Sequence, residues 1–495
     1  MNFVKLLKNY KKNKKGSILA YILVVMTIVS IILVSMISYI TSQINFSFNR
    51  VEKEEAFQIA EAGVYYYRWY LAHETSGKTA QQIINFWGSG SALGVNTPYE
   101  VDYEGRGKYK IEVTPPQAGS TIVLVKSTGW TYKNPGMTRS VQVRFRRPSW
   151  SEYMFLTNDF INFGDQAEVF GKIHSNVGIR FDGIAHNIVS ALSSSFNDPS
   201  HGGSSKDFGV HTHQVPADPY APTTPQPWPE GTVPDRPDVF EAGREFPVPE
   251  VSFNGVTTDL GGMKTEAQKP SGTNINNCTS TGCYFDNSGS GRRIILKTDG
   301  TFDICTVDTF HSTALSISKY KKNVGTDTCN SCSGDCVRNF SIPDNGIIFV
   351  EDRAWVEGTV NDRRITIAAA DLSGGTYKDI YIGLDNLRYS NYDCNNIIGL
   401  VAQRDITVVR NCPNEFVVDA ALLAQNGRVG MNDHGFTNAS LTINGAIASY
   451  LQPYFNHGVN GFALRIYNFN NNLLYCPPAF FPTGSEYSID LWEEL

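Results

Sequence analysis

The chain has no cysteine before Cys278, no proline before Pro98, and no charged side chain between residues 18 and 40. The first absence confines all thiol chemistry to the second half of the molecule. The second leaves no proline to break a helix over residues 17–76, where Gly63 is also the only glycine. Charge is sparse throughout: 18% of residues are charged, against 12% aromatic, the composition of a folded, β-leaning chain rather than a disordered one. The formal net charge is −6 even though six lysines fall within the first 16 residues, so the remainder is acidic and lacks the footprint of a nucleic-acid binder. No nucleophile elbow, P-loop, dinucleotide fingerprint or HExxH motif occurs. At 495 residues the chain exceeds one ordinary hydrophobic core, which predicts two or three domains.

What is present begins at the N-terminus. Lys5, Lys8, Lys11, Lys12, Lys14 and Lys15 precede the uncharged run and no acid accompanies them. As a helix, the 23 residues 18–40 would be roughly 35 Å long, enough to cross a hydrocarbon core of about 30 Å. Lysines on one flank predict a cytoplasmic N-terminus and an exported remainder in a single-pass topology. A buried core helix would not account for the one-sided lysines. Helical vocabulary continues beyond the span, with Ala56, Ala60, Val64, Tyr67 and Leu71 forming one stripe at spacings of three and four. The expectation is a single helix over residues 17–75, apolar below and amphipathic above.

Lys14, Lys15, Gly16, Ser17 and the span, followed by Ala56, Phe57, Gln58, Ile59, Ala60, Glu61, Ala62 and Gly63, resemble the N-terminal region of PilX-like minor pilins. The same residues are similar to GspK-type pseudopilins. The resemblance covers roughly 60 residues. It implies a prepilin-type leader over residues 1–16, cut between Gly16 and Ser17 by a prepilin peptidase. It also implies an exposed apolar helix that packs against other pilin-like subunits or the lipid bilayer. Small residues Ala20, Ser30, Ser35, Ala56 and Ala60 would serve that packing. The fifth residue after the cut, where major pilins carry Glu, is Tyr21, which suggests a minor or terminal subunit. A plain uncleaved signal anchor is the competing reading.

Residues 76–148 read as a small α+β head, with alternating strands at 108–113 and 139–145 and a buried strand at 120–126. A β body is expected to start over 149–210. Residues 211–250 form a proline-rich strap. Ten of the 23 prolines fall between 216 and 249, and Pro216, Pro219, Pro222 and Pro225 stand three apart, the period of a polyproline II spacer. A Cys-rich insertion spans 251–345. From Ile347 the apolar anchors Ile365, Ile380, Ile398 and Val417 step by 18, 15, 18 and 19 residues, which predicts a β-solenoid-like body over 346–495. A β-sandwich is the alternative. Segments 171–176, 355–360, 399–406 and the closing 474–482 through Trp492 also resemble the exported β bodies appended to PilX-like N-termini. The fold class expected is therefore mainly β with one long N-terminal helix.

Three constellations could carry chemistry. Cys278, Cys283, Cys305, Cys329, Cys332 and Cys336 could hold zinc, but export makes them a disulfide-stapled loop. Cys394, Cys412 and Cys476 would then supply one further bridge, and an odd count leaves one thiol over. His211 and His213, with His201 nearby, have no carboxylate or cysteine at supporting spacing and read as a solvated loop, so no metal or cofactor is expected. Carboxylates at Glu351, Asp352, Asp362 and Asp433, with Arg353, Arg363, Arg364 and His434, sit where strand ends place charges anyway. The expected role is a membrane-anchored structural or assembly subunit of a type IV pilus or related filament, not an enzyme. Alternatives are an adhesin that binds a surface glycan or protein, and, further off, a glycan-active enzyme, which would need paired carboxylates in one groove.

Overall fold

The computed structural model describes residues 17–495 except 77, 79, 117–120, 202–204, 254–255, 271–274, 433–434, 436, 458–459 and 485–486. The leader with Gly16, and Asp433 with His434, lie outside the described residues. With no proline to interrupt it, α1 (Ser17–Thr75) runs as one helix of 59 residues, roughly 88 Å long. Hydroxyls in its apolar half bond back to the preceding turn: Thr27 to the Leu23 carbonyl at 2.7 Å, Ser35 to Ile31 at 2.8 Å and Thr41 to Ile37 at 2.9 Å. Each of these three hydroxyls is thereby satisfied within the helix, as an apolar environment would require.

The upper part of α1 docks on an antiparallel sheet. Strands β1 (Tyr99–Tyr103), β2 (Gly107–Thr114), β3 (Ile122–Thr131) and β4 (Arg139–Arg146) pair in sequence order. Their burial alternates along each strand, so Ile111, Val123, Val125, Val141, Val143 and Phe145 face the helix. The predicted stripe meets them: Ala56, Ala60, Val64, Tyr67 and Leu71 are all fully buried. The approach is close because two glycines lie at the contact. A Cβ on Gly129 of β3 would stand 2.3 Å from the Ala56 carbonyl oxygen, and one on Gly63 would stand 2.3 Å from the Ser127 hydroxyl. Helix α2 (Ala80–Gly88) closes the unit with Ile83 and Trp87.

The head is completed from elsewhere in the sequence. The last strand, Ser488–Glu494, pairs antiparallel with β4 as the fifth strand of the sheet. It therefore belongs to the head and not to the body expected over 346–495. Arg144 bonds Asp490 at 2.8 Å, and Trp87 Nε1 donates to the Tyr487 hydroxyl at 2.8 Å. The returning strand covers an edge of β4 that would otherwise expose unpaired backbone.

The body is built from parallel ladders, which favours the solenoid-like reading over a sandwich of antiparallel sheets. One ladder runs through Gly282–Phe285, Ile347–Val350, Arg364–Ala369, Ile397–Ala402, Ala421–Ala424 and the end of Thr437–Ser449. It continues through Tyr153–Thr157, Lys172–Ser175, Val189–Ala191 and Arg244–Glu245. In register, Cys283, Ile348, Ile367, Leu400, Leu422, Ile447, Phe155, Ile173 and Val189 form one interior ridge. A second ladder passes through Arg292–Leu296, Ala354–Val360, Ile380–Tyr389, Glu415–Val418, Thr437–Ser449, Asn460–Phe469, Glu168–Phe170 and Ile184–Ala185. The main core lies between them. The outer face of the first ladder is covered by α3 (Val256–Ala267) and by Leu473 and Phe481 of the tail.

Spatial order thus differs from sequence order. The chain enters in the middle of the stack, with Phe155 beside Ile447, and winds outward to residue 245. It then crosses to the far end and winds back toward its own entry point. The segment read as a Cys-rich insertion supplies the first coil, through Gly282–Phe285 and Arg292–Leu296. Only the antiparallel strands Thr301–Phe310, Ile317–Lys321, Thr328–Cys329 and Val337–Ser341 stand apart as an insertion. The proline-rich segment is not a free spacer. Arg236 is buried in it, bonded to Asp238 at 2.7 Å and to the Pro216 carbonyl at 2.6 Å, and Trp228 packs on Phe208. These contacts fold the strap onto the last coils as a cap.

Candidate functional site: the exposed apolar half of the helix

Every residue of α1 from 18 to 51 is exposed, including Ile22, Leu23, Val29, Ile32, Leu33 and Ile40. Exposing such a face to water would cost about 25 cal/mol per Å² of apolar surface, so the segment calls for an apolar environment. It is long and apolar enough to cross a membrane by length and composition, and none of its most apolar stretch is buried within the molecule. Ser17 is the first residue of the helix and Tyr21, one turn on, is 75% exposed. The boundary between the two halves is fixed by Glu52, which accepts the Thr131 hydroxyl at 2.6 Å and pairs with Lys133 at 3.7 Å. Above it the helix is held by the head, and below it the helix stands clear.

The cysteines form four disulfides, Cys278–Cys283, Cys305–Cys332, Cys329–Cys336 and Cys394–Cys476, with Cys412 free. Three lie in the first coil and its insertion. The fourth ties the stack to the tail that leads back to the head. Burial pushes the Cys412 thiol up to about 11, which favours the protonated thiol over the thiolate at neutral pH.

Among the described residues, the carboxylates read as catalytic candidates are engaged in separate contacts. Glu351 is taken up by Lys264 and the Tyr284 hydroxyl, and Asp352 accepts Ser288 Oγ at 2.9 Å. Asp362, Arg363 and Arg364 line a cleft of about 530 Å³ between head and body, together with Trp87, Arg147 and Phe480. Sequence reading missed a second polar groove, in which Arg404 grips Asp379 at 2.7 and 2.5 Å and lies 3.3 Å from Asp405. Burial raises the Asp405 carboxyl above its ordinary range. The two aspartates come from successive coils, a juxtaposition that no local spacing announces.

The histidines are not on a solvated loop. His211 is almost wholly buried, and Asp198 and Asp207 are buried beside it. His211 Nε2 lies 3.2 Å from Asp198 Oδ2, and His201 Nδ1 lies 3.0 Å from Asp207 Oδ2. Burial lowers the pKa of both His211 and His213. The expectation of unsupported histidines fails because Asp198 stands 13 residues before His211, and the coil geometry rather than a short motif brings them together.

Comparison with family models gives no match, nor does comparison with curated proteins. Among solved structures, the crystal structure of competence-associated pilin ComZ from Thermus thermophilus aligns over 90% of this chain and 98% of its own. Identity is 14% and the TM-score 0.29. A superposition that loose carries no argument about this chain. The chain itself is a mainly β molecule with one long N-terminal helix.

Proposed function

We propose that the chain is a pilin-like, membrane-anchored structural subunit whose exposed helix packs against other such subunits, displaying the β body outside the cell. The observation that carries this reading is the division of one unbroken helix. Its upper turns are buried in the head, and residues 18–51 are exposed, of which 18–40 carry no charge and are predominantly apolar. A generic anchor needs only a span and a linker, whereas here the span and the head share one rigid helix. A head sheet clasping the upper helix suits a subunit that must transmit its position in a filament to the domain it displays. In this reading a prepilin peptidase cuts between Gly16 and Ser17, and the N-terminal lysines stay in the cytoplasm. Tyr21 supplies no carboxylate to pair with a neighbour's terminal amine, which favours a minor or terminal subunit. No catalytic role is assigned.

N-terminal mass spectrometry of the protein from its own membrane tests the processing step. The wild-type chain is expected to start at Ser17, and Gly16→Leu to retain the leader. Recovery of a Ser17 N-terminus from the Gly16→Leu protein, or of an intact leader from the wild type, would overturn it.

A further inference from the structure

The outer coils hold a group of side chains that the assembly reading does not use. We propose that Asp198, His211 and His213 bind one zinc-type divalent cation, with a fourth position open to water. The three residues place one ligand atom each within 4.8 Å of one another. Four-coordinate zinc with bonds of about 2.0–2.1 Å needs ligand separations of about 3.3 Å, so side-chain movements of roughly 1 Å complete the set. Asp198 Oδ2 is already 3.2 Å from His211 Nε2 and 3.8 Å from His213 Nε2.

Two features distinguish this group from an ordinary hydrogen-bonded cluster. His211 Nδ1 and His213 Nε2 are buried atoms with no hydrogen-bond partner among the described residues, and His211 as a whole is 1% exposed. A buried polar atom left unpaired costs about 1–3 kcal/mol, and a cation beside Asp198 Oδ2 would engage the unpaired His213 Nε2, with His211 ligating through Nε2, the nitrogen that faces the same oxygen. The carboxylate is also held in advance. Ser200 donates to Asp198 Oδ1 from its backbone N–H at 2.8 Å and its hydroxyl at 2.7 Å, leaving Oδ2 turned toward the histidines. Such outer hydrogen bonds orient metal-ligating carboxylates.

The competing cation is Arg180. Its guanidinium is engaged by Asp182 at 2.8 Å and Ser200 Oγ at 2.7 Å, and stays 3.9 Å from Asp198 Oδ2. It therefore leaves that oxygen without a charge-assisted hydrogen bond. The scaffold is rigid, because Val210–His211 pairs in parallel with Ile179–Phe181. His213 and His201 remain partly exposed, and their rings stack at 4.2 Å, so the solvent position lies on that side. Two imidazoles and one carboxylate are a donor set suited to zinc.

The test uses the full-length chain in detergent, carrying Cys412→Ser, stripped with chelator and titrated with zinc alone in a calorimeter. The expected result is one equivalent bound, at least tenfold weaker with Asp198→Asn or His213→Gln, and about tenfold weaker with Ser200→Ala. Cobalt substitution should give a four-coordinate visible spectrum without a thiolate charge-transfer band. His213 is partly exposed, so His213→Gln decides the matter if Asp198→Asn fails to fold by circular dichroism. Absence of stoichiometric zinc in the parent, or unchanged affinity in His213→Gln, would overturn the proposal.

Discussion

His174 lies on the outer row of the first ladder, 2% exposed, with Nδ1 3.0 Å from Ser190 Oγ and Nε2 3.0 Å from Asn176 Oδ1. Burial holds its pKa below the ordinary histidine value, so the folded state favours the neutral ring. Its contribution to stability is therefore complete above an unfolded pKa of about 6.5 and is lost as pH falls through the lower folded value. Thermal melts should show the body losing stability on acidification from about pH 7.5 to about 5.5, and His174→Gln losing less over the same range. Equal losses in both proteins would remove His174 from the account. Legibility at this scale follows sequence distance. The stripe from Ala56 to Leu71 could be read directly because helix geometry brings those residues together within a few turns. The approach of Asp198 to His211 could not be read, because it depends on how one coil lies over another.

Among elements, α1 carries the argument, and its docking depends on two missing side chains. A Cβ on Gly129 would meet the helix backbone at Ala56 and Ala60, at 2.3 and 2.5 Å, where no flexible side chain can give way. Gly129→Val should destabilise the head by about 1–3 kcal/mol or more, the usual cost of overpacking. Limited proteolysis should then cut near the Glu52 boundary while the disulfide-bonded body stays intact. Resistance equal to the wild type would mean that the helix does not depend on this contact. The strands at 108–113 and 139–145 were legible from period-two alternation, which the burial of β2 and β4 reproduces. Strand β3, expected as a strand buried on both faces, alternates as well because only one face meets the helix. The strap was not legible. Proline spacing describes a local backbone preference, whereas Arg236 and Trp228 fix this segment through tertiary contacts.

For the whole molecule the order of the coils matters most. Parallel pairing is non-local, so the rhythm of anchors from Ile347 onward pointed to stacking without showing that Phe155 joins the stack beside Ile447. The return of Ser488–Glu494 to the head was equally hidden, since a strand's partner is not encoded in its own alternation. Head and body are thus tied by the chain at Pro148 and again by the tail, which Cys394–Cys476 fastens to the coils. Truncation after residue 486 removes Tyr487, Ile489 and Trp492 from the head core. It should make the head protease-sensitive while leaving the body's disulfides formed. An unaltered digestion pattern would show that the four-stranded head suffices.

The proposed function requires that α1 anchor a body lying outside the cytoplasmic membrane. Val215, 92% exposed and remote from every disulfide in sequence, offers a reporter position. Val215→Cys in a Cys412→Ser background should react with a membrane-impermeant maleimide in intact spheroplasts, and the labelled chain should sediment with the membranes. Labelling that appears only after the spheroplasts are lysed would place the body in the cytoplasm and contradict the account.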